Sequence, residues 1–277
     1  MAATKPDVAF VGLGAMGFGM ATHLVKEGYR VTGSDVWAPS VERFVSAGGI
    51  SASSPREASN NASFLVSMVA TADQTTAALF DASTGAIHTL PQNATIVICS
   101  TVSPTYLPEV RALLDGEFER PDIQLIDCPV SGGTVRAADG TLTILASGSD
   151  TSLAHSKSLL DTMAESLFVI PGGLGSGTKV KMINQTLAGI HIAMASEAMG
   201  FAAALGLNTK TIYEVVNGSE GASWMWGNRM EHAIKGDTKI YSALNIIVKD
   251  MVIHVLEESA YRNAHDVAGY SELSWSR

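Results

Sequence analysis

The spacing of apolar residues changes character along the chain. In the first part, short continuous apolar runs, typical of strands buried on both faces, alternate with stretches in which apolar residues recur at helical spacing. The runs predict strands over residues 8–11, 29–34, 64–69, 95–99, 123–126, 141–146 and 167–170. Helices are predicted from residue 16 onward and over residues 41–47, 73–80, 105–114 and 152–164. This alternation predicts an α/β fold with a mostly parallel sheet that helices cover on both faces.

The pattern becomes purely helical after Pro171. A glycine-rich link leads to it, and the helices predicted beyond the link cover residues 178–205, 209–217, 223–234 and 245–260. We therefore place a boundary at Gly177, between an α/β domain over residues 1–177 and an all-helical domain over residues 178–260. Residues 261–277 are polar, and their apolar residues do not recur at helical spacing, so we expect an atypical, poorly ordered tail.

Composition and charge narrow the class of protein. Of 277 residues, 46% are hydrophobic and 16% charged, which supplies a large core and excludes an intrinsically disordered chain. The net charge of −9 gives no general attraction to nucleic acid or to anionic membranes. Cys99 and Cys128 form no metal-binding or disulfide pattern, and the longest apolar stretch is far short of the ~20 residues that span a bilayer. We expect a cytoplasmic protein.

A Gly-x-Gly-x-x-Gly pattern lies between the first predicted strand and the first predicted helix. It comprises Gly12, Leu13, Gly14, Ala15, Met16 and Gly17. In a strand–turn–helix context the first glycine makes the turn, the second admits a pyrophosphate to the helix N-terminus, and the third allows the helix to pack on the strand. The pattern therefore predicts dinucleotide binding by a Rossmann-type, doubly wound domain. The alternative is a glycine turn with only a packing role.

Asp35 ends the second predicted strand. A carboxylate at this position accepts hydrogen bonds from the adenosine ribose and repels a 2′-phosphate, so it favours NAD over NADP. The alternative is an aspartate in a strand-end turn. Further along, Ser131, Gly132 and Gly133 follow another strand of the predicted sheet, where their amides can form a nest for a substrate carboxylate. An ordinary turn remains the alternative there.

Two lysines later in the chain have both a catalytic and a structural interpretation. Lys181 shares a helix face with Asn184 and Gln185, and a lysine in a dry cleft can act as a general base, whereas a surface lysine is the alternative. Lys179 lies close by and offers a second candidate. Lys249 stands next to Asp250 inside an apolar helix, either as part of a solvated face or as a buried functional pair.

Four sequence blocks in this order resemble the β-hydroxyacid dehydrogenase family: GLGAMG, DCPVSGG, GSGTKVKMINQ and the KD of IIVKDM. The resemblance implies an NAD-binding first domain and a second domain for substrate binding and oligomerisation. It also implies a role for each matching position. The three glycines within residues 12–17, together with Thr101 and Lys249, would bind the cofactor. Residues 131–133 would bind the substrate carboxylate, with Lys181 as the catalytic acid or base and Asn184 as its catalytic partner.

Two departures from the family pattern indicate a branch. The segment after residue 68 and the arginine at position 136 look like the L-threonate dehydrogenase branch. We therefore expect NAD-dependent oxidation of the C2 hydroxyl of a small hydroxy acid to a keto acid, in a homodimer or homotetramer without metal. A 3-hydroxyisobutyrate dehydrogenase or semialdehyde reductase of the same family is one alternative. A non-catalytic member is another, because the resemblance stops near Ala260 and relatives run longer.

Overall fold

The computed structural model describes residues 5–237 and 244–264. Within them the chain forms nine strands. These are β1 (Val8–Val11), β2 (Val31–Ser34), β3 (Ile50–Ser51), β4 (Phe64–Ser67), β5 (Thr95–Ile98), β6 (Gln124–Asp127), β7 (Val130–Ser131), β8 (Leu142–Gly148) and β9 (Ala164–Val169).

The described helices fall into two groups along the chain. Those associated with the strands are α1 (Ala15–Lys26), α2 (Ala38–Ser46), α3 (Pro55–Ala58), α4 (Ala72–Phe80), α5 (Tyr106–Asp115), α6 (Gly133–Asp139) and α7 (Asp150–Met163). Those that follow are α8 (Ser176–Ala204), α9 (Thr209–Asn217), α10 (Glu231–Ile234) and α11 (Leu244–Ala264). A 3₁₀ turn covers Ala86–His88, and a π-helical segment covers Trp226–Met230 within the helix expected over residues 223–234.

The sheet has the strand order β3-β2-β1-β4-β5-β6-β8-β7, with β9 beside β8. Strands β1 to β6 pair in parallel, whereas β8 runs antiparallel to β6 and to β7. The chain adds β2 and β3 on one side of β1 and then returns to add β4 on its other side, so the strand order reverses between β1 and β4. Dinucleotides bind at this point in doubly wound sheets. The predicted α/β fold, a Rossmann-type sheet followed by a helical region, is confirmed.

The continuous apolar runs arise because the central strands are buried on both faces. In β1, Val8 and Phe10 belong to the core on one side of the sheet, whereas Ala9 and Val11 belong to the core on the other side. Successive side chains of a strand point to opposite faces, so most positions of a strand with helices on both sides are apolar.

Some short elements gave no periodic signal and were not predicted. Strands β3 and β7 and helices α3 and α6 have between two and seven residues, too few for a period to show. The sequence predicts a carboxylate-binding nest or an ordinary turn around Gly132, and it predicts no helix or strand there. Gly132 and Gly133 have φ values of 142° and 73°, and this backbone reversal joins β7 directly to α6.

The chain divides into two compact units, the first ending at Lys181 and the second beginning at Met182. This division lies inside α8, beyond the predicted boundary at Gly177. Helix α11 continues to Ala264, past the predicted start of the tail, and residues 265–277 of that tail lie outside the described residues. By length and composition alone, α8 could cross a membrane, a property that it shares with core helices of other proteins.

Candidate active site

The first and third glycines of the Gly-x-Gly-x-x-Gly loop are required by close backbone contacts. Gly12 has a φ of 96°, and a Cβ added to it would lie 2.6 Å from the carbonyl oxygen of Met68 at the end of β4. A Cβ on Gly17 would lie 1.9 Å from the carbonyl oxygen of Gly12. These contacts bring α1 against the ends of the two strands where the sheet order reverses.

Gly14, by contrast, faces open space. A Cβ added to Gly14 would meet no atom within 4 Å, and Gly14 and Ala15 are exposed at the start of α1. The first N–H groups of a helix, here those of Ala15 and Met16, have no acceptor within the helix. Open space in front of these donors fits a pyrophosphate, so the loop is suited to a dinucleotide cofactor.

Asp35 is held against the same loop by both carboxylate oxygens. Its Oδ2 accepts the N–H of Leu13 at 2.6 Å, and its Oδ1 accepts the N–H of Trp37 at 2.8 Å. An ionised carboxylate has about four acceptor positions, so it can still accept ribose hydroxyls in this arrangement. The buried Leu13 thus connects the glycine loop to the predicted ribose-binding residue.

Thr101 and the Ser131–Gly132–Gly133 segment follow the carboxyl ends of β5 and β6, at the same edge of the sheet as the glycine loop. Thr101 and Ser131 are half-buried. A Cβ on Gly133 would meet no atom within 4 Å. This open position beside a serine hydroxyl leaves room for a small anionic group.

Asp127, at the end of β6, anchors the start of α8. Its Oδ1 accepts the hydroxyl of Thr178 at 2.7 Å, and its Oδ2 accepts the Thr178 N–H at 2.8 Å and the Ser147 hydroxyl at 3.1 Å. Ser147 Oγ in turn accepts the N–H of Gly177 at 2.9 Å. Burial raises the pKa of Asp127, and the hydrogen bonds from Thr178 and Ser147 oppose that rise.

This anchor explains why Lys181 belongs to the first unit. Lys181 is only 5% exposed, whereas Lys179 is exposed, so the structure distinguishes the two lysines that the sequence offered. The helix start that carries Lys181 is attached to the sheet through Thr178, and the compact first unit extends to Lys181.

In the second unit, Asn184 and Lys249 are joined through a chain of polar contacts. Asn184 Nδ2 donates to Gln185 Oε1 at 3.2 Å, and Gln185 Nε2 donates to Asp250 Oδ2 at 2.6 Å. Lys249 Nζ lies 3.0 Å from Asp250 Oδ1, and Asp250 is 3% exposed. The Lys249–Asp250 pair therefore has a buried carboxylate and is not a solvated helix face.

The structure thus groups the predicted residues by unit. The first unit holds the glycine loop, Asp35, Thr101, the segment from Ser131 to Gly133, and Lys181, and the second holds Asn184 and Lys249. Sequence reasoning missed the role of Asp127, although it is an acidic residue next to an apolar run, and it left Asp250 open between a solvated helix face and a buried pair. Among the described residues, no group of three His, Cys, Asp or Glu side chains is arranged to hold a metal.

Two family models match successive parts of the chain. Residues 7–172 match the family model of the NAD-binding domain of 6-phosphogluconate dehydrogenase. Residues 175–265 match the model described as NAD-binding of NADP-dependent 3-hydroxyisobutyrate dehydrogenase.

Relatives match over most of their length. L-threonate dehydrogenase of Cupriavidus necator is 36% identical over 245 residues, which cover 88% of this chain and 81% of that enzyme. The NAD-dependent L-serine dehydrogenase of Pseudomonas aeruginosa is 33% identical and covers 82% of this chain and 76% of its own. The crystal structure of 3-hydroxyisobutyrate dehydrogenase from Salmonella typhimurium has a TM-score of 0.84 and 36% identity, covering 93% of this chain and 88% of that chain. The chain therefore belongs to the β-hydroxyacid dehydrogenase family, in its L-threonate dehydrogenase branch, and is a nicotinamide-dependent oxidoreductase.

Proposed function

We propose that this protein oxidises the C2 hydroxyl of L-threonate, or of a closely similar small hydroxy acid, to the keto acid with NAD as the oxidant. The observation that carries the proposal is the burial of Lys181 at the start of a helix that is anchored to the sheet bearing the dinucleotide loop. A lysine amine that is enclosed away from water can serve as a general base. L-threonate dehydrogenases at 35–37% identity support this choice of substrate.

The substrate carboxylate docks on the segment from Ser131 to Gly133. The Ser131 hydroxyl and the amides of the two glycines are donors, and the positive φ values of the glycines turn the backbone at this point. Consecutive amides in such a turn form a concave anion site. Since Gly133 faces open space, the carboxylate meets no side chain there.

Lys181 accepts the proton of the substrate hydroxyl as a general base. A bound nicotinamide would supply the redox chemistry, as the acceptor of a hydride from the carbon that carries this hydroxyl. Asn184 lies one turn further along α8 and orients the substrate oxygen. Its side chain is held by Gln185, which is itself held by Asp250. Lys249, paired with Asp250, is proposed to contact the cofactor.

The preference for NAD over NADP depends on Asp35. Its carboxylate is fixed by the N–H groups of Leu13 and Trp37, so it cannot turn away from an approaching 2′-phosphate without losing both hydrogen bonds. Two negative groups at hydrogen-bonding distance repel each other strongly in a partly buried site. The ribose hydroxyls of NAD, in contrast, donate to the carboxylate.

The functional protein is proposed to be a cytoplasmic homodimer or homotetramer without nucleic-acid or membrane partners. Along α8 the side chains of Ile183, Leu187, Ile190 and Met194 are each more than half exposed. Contiguous apolar surface of this kind marks an interface in a protein that stays in solution. A second copy of the chain is the occupant that the family resemblance implies.

The experiment is NADH formation by the purified protein with L-threonate, 3-hydroxyisobutyrate, L-serine and tartronate in parallel. Lys181→Ala should lower turnover of the preferred acid by about a thousandfold, because it removes the base. Lys179→Ala is the matched control, since that lysine is exposed on the same helix turn and should leave turnover unchanged.

Faster turnover of 3-hydroxyisobutyrate or L-serine than of L-threonate would assign the chain to another substrate within the family. Turnover that survives Lys181→Ala would refute the proposed base. A non-catalytic role is disfavoured because the chain retains both Lys181 and Asn184.

A further inference from the structure

The Asp127 carboxylate is buried and has no direct part in the proposed chemistry. It is 0% exposed and accepts hydrogen bonds from the N–H and the hydroxyl of Thr178 and from the hydroxyl of Ser147. Burying a carboxylate is costly, and a neutral side chain such as serine or asparagine caps a helix N-terminus without that cost. The presence of a buried carboxylate at position 127 therefore indicates a role beyond capping the start of α8.

Asp127 connects the two parts of the proposed site that must be aligned. It ends β6, and the chain that leaves it leads directly to Ser131 of the carboxylate-binding segment. Its carboxylate holds Thr178, which precedes Lys181 by one helical turn and so lies on the same face of α8. The distance between the carboxylate site and the base thus depends on the geometry at Asp127.

A second contact makes this geometry rigid. Ser147 on β8 donates to Asp127 and accepts the N–H of Gly177, so two neighbouring strands hold the start of α8. A Cβ on Gly177 would lie 2.3 Å from the carbonyl oxygen of Leu145, which leaves the helix start no room to shift toward the sheet. The rotation of α8 about its axis, and with it the direction of the Lys181 side chain, is set by these contacts.

We propose that Asp127 is a positioning residue that sets the Lys181 amine relative to the substrate carboxylate. This inference rests on the proposed function, because it assigns Asp127 a role only through Lys181. A displacement of about 1 Å in a reacting group can lower a rate by a hundredfold, so a small change at Asp127 has a measurable effect on turnover. The glycine loop and Asp35, which are proposed to bind the cofactor, follow β1 and β2 and not β6, so we expect a change at this contact to have little effect on NAD binding.

The experiment compares two substitutions of Thr178. Thr178→Val keeps the shape of the side chain and removes the hydroxyl that donates to Asp127 Oδ1, whereas Thr178→Ser keeps the donor. We expect kcat to fall at least tenfold in Thr178→Val and less than threefold in Thr178→Ser. The Kd of NAD, measured by quenching of tryptophan fluorescence, should stay within twofold of the parent in both variants.

Asp127→Asn provides the larger perturbation. Its amide nitrogen would face either the N–H or the hydroxyl of Thr178, so we expect kcat to fall about a hundredfold with an unchanged KM for NAD. If this variant fails to fold, the pair of Thr178 variants carries the test alone.

Three outcomes would overturn the inference. Thr178→Val could be as active as the parent, the serine and valine variants could lose the same activity, or NAD affinity could fall in parallel with kcat, which would mark Asp127 as part of the fold only. Failure of the proposed function is recognised separately, because Lys181→Ala would then keep its turnover. If Lys181→Ala is inactive and Thr178→Val is fully active, the positioning role of Asp127 is refuted and the role of Lys181 as the base is not.

Discussion

The two units of the chain bury their apolar residues in different ways. In the first unit, Phe10 of β1 and Leu65 of β4 are fully enclosed, 0% exposed in each case. In the second unit, α8 is almost as apolar, yet Leu187 and Phe201 are 53% and 64% exposed. The difference does not come from composition, because both regions are rich in apolar residues.

The cause lies in the partners that each element has within its own unit. The central strands of the first unit are covered on both faces, so every apolar side chain meets another. In α8, the apolar residues buried below a tenth of their surface are small, namely Ala188, Ala195 and Ala202, which are spaced one heptad apart along a narrow stripe. The first unit thus covers its large apolar side chains itself, whereas α8 leaves many of its large apolar side chains exposed in the single chain.

The largest expected effect is a difference in stability between matched phenylalanine truncations. Phe10→Ala should lower the free energy of unfolding by about 3–5 kcal/mol, because it opens a cavity in a closed core. Phe201→Ala removes the same atoms from an exposed position of α8 and should cost less than about 1 kcal/mol in the isolated protomer. Chemical denaturation at low protein concentration measures both. Equal losses of stability in the two variants would contradict the difference in burial between the two units.

Next in size is the effect of a charge on the exposed face of α8. Leu187→Glu should weaken the proposed self-association by about 2 kcal/mol, because a carboxylate would be buried in the proposed apolar interface. Val45→Glu, at an exposed position of α2 in the first unit, is the control and should leave association unchanged. Sedimentation velocity over a concentration series reports the result. If Leu187→Glu associates like the parent, the α8 face is not the interface.

A smaller effect concerns cofactor choice, which we assign to the first unit alone. Asp35→Asn keeps an acceptor for the Leu13 N–H and removes the negative charge, so the KM for NADP should fall about tenfold, or roughly 1–2 kcal/mol. Gln185→Leu in the second unit should lower kcat and leave the ratio of the two KM values unchanged. A shift in that ratio in Gln185→Leu would show that the second unit also selects the cofactor.

The smallest effect is the dependence of stability on acid in the first unit. The Arg120 guanidinium lowers the pKa of Asp122 from 3.8 to about 2. Because the pKa in the folded state lies below the unfolded value, the pair stabilises the fold above pH 3.8, and this contribution is lost as the pH falls toward 2. Since Asp122 is partly exposed, we expect roughly 1 kcal/mol. Asp122→Asn should reduce the dependence of the free energy of unfolding on pH between 3.8 and about 2. If this dependence is the same in the variant and the parent, the Arg120–Asp122 pair is not its cause.

Local patterns in the sequence were sufficient to predict most of the strands and helices and the glycine loop. The apolar runs of β1, β4 and β5 and the glycines at positions 12, 14 and 17 are signals within a few neighbouring residues. A residue buried on both faces of a sheet, or a backbone that approaches another backbone, allows few side chains, so the pattern identifies the structure. The strand between residues 141 and 146 was also recognised, although its antiparallel pairing with β6 was not.

The sequence by itself therefore determined the Rossmann-type sheet and the glycine turn between β1 and α1, since each depends on short-range periodicity or on a backbone requirement. Only the tertiary structure separated Lys181 from Lys179, connected Asp127 to Thr178, and joined Gln185 to Asp250. These contacts link residues 51 and 65 positions apart in the last two cases. No spacing rule relates such positions, because the folded sheet and helices alone bring their side chains within hydrogen-bonding distance.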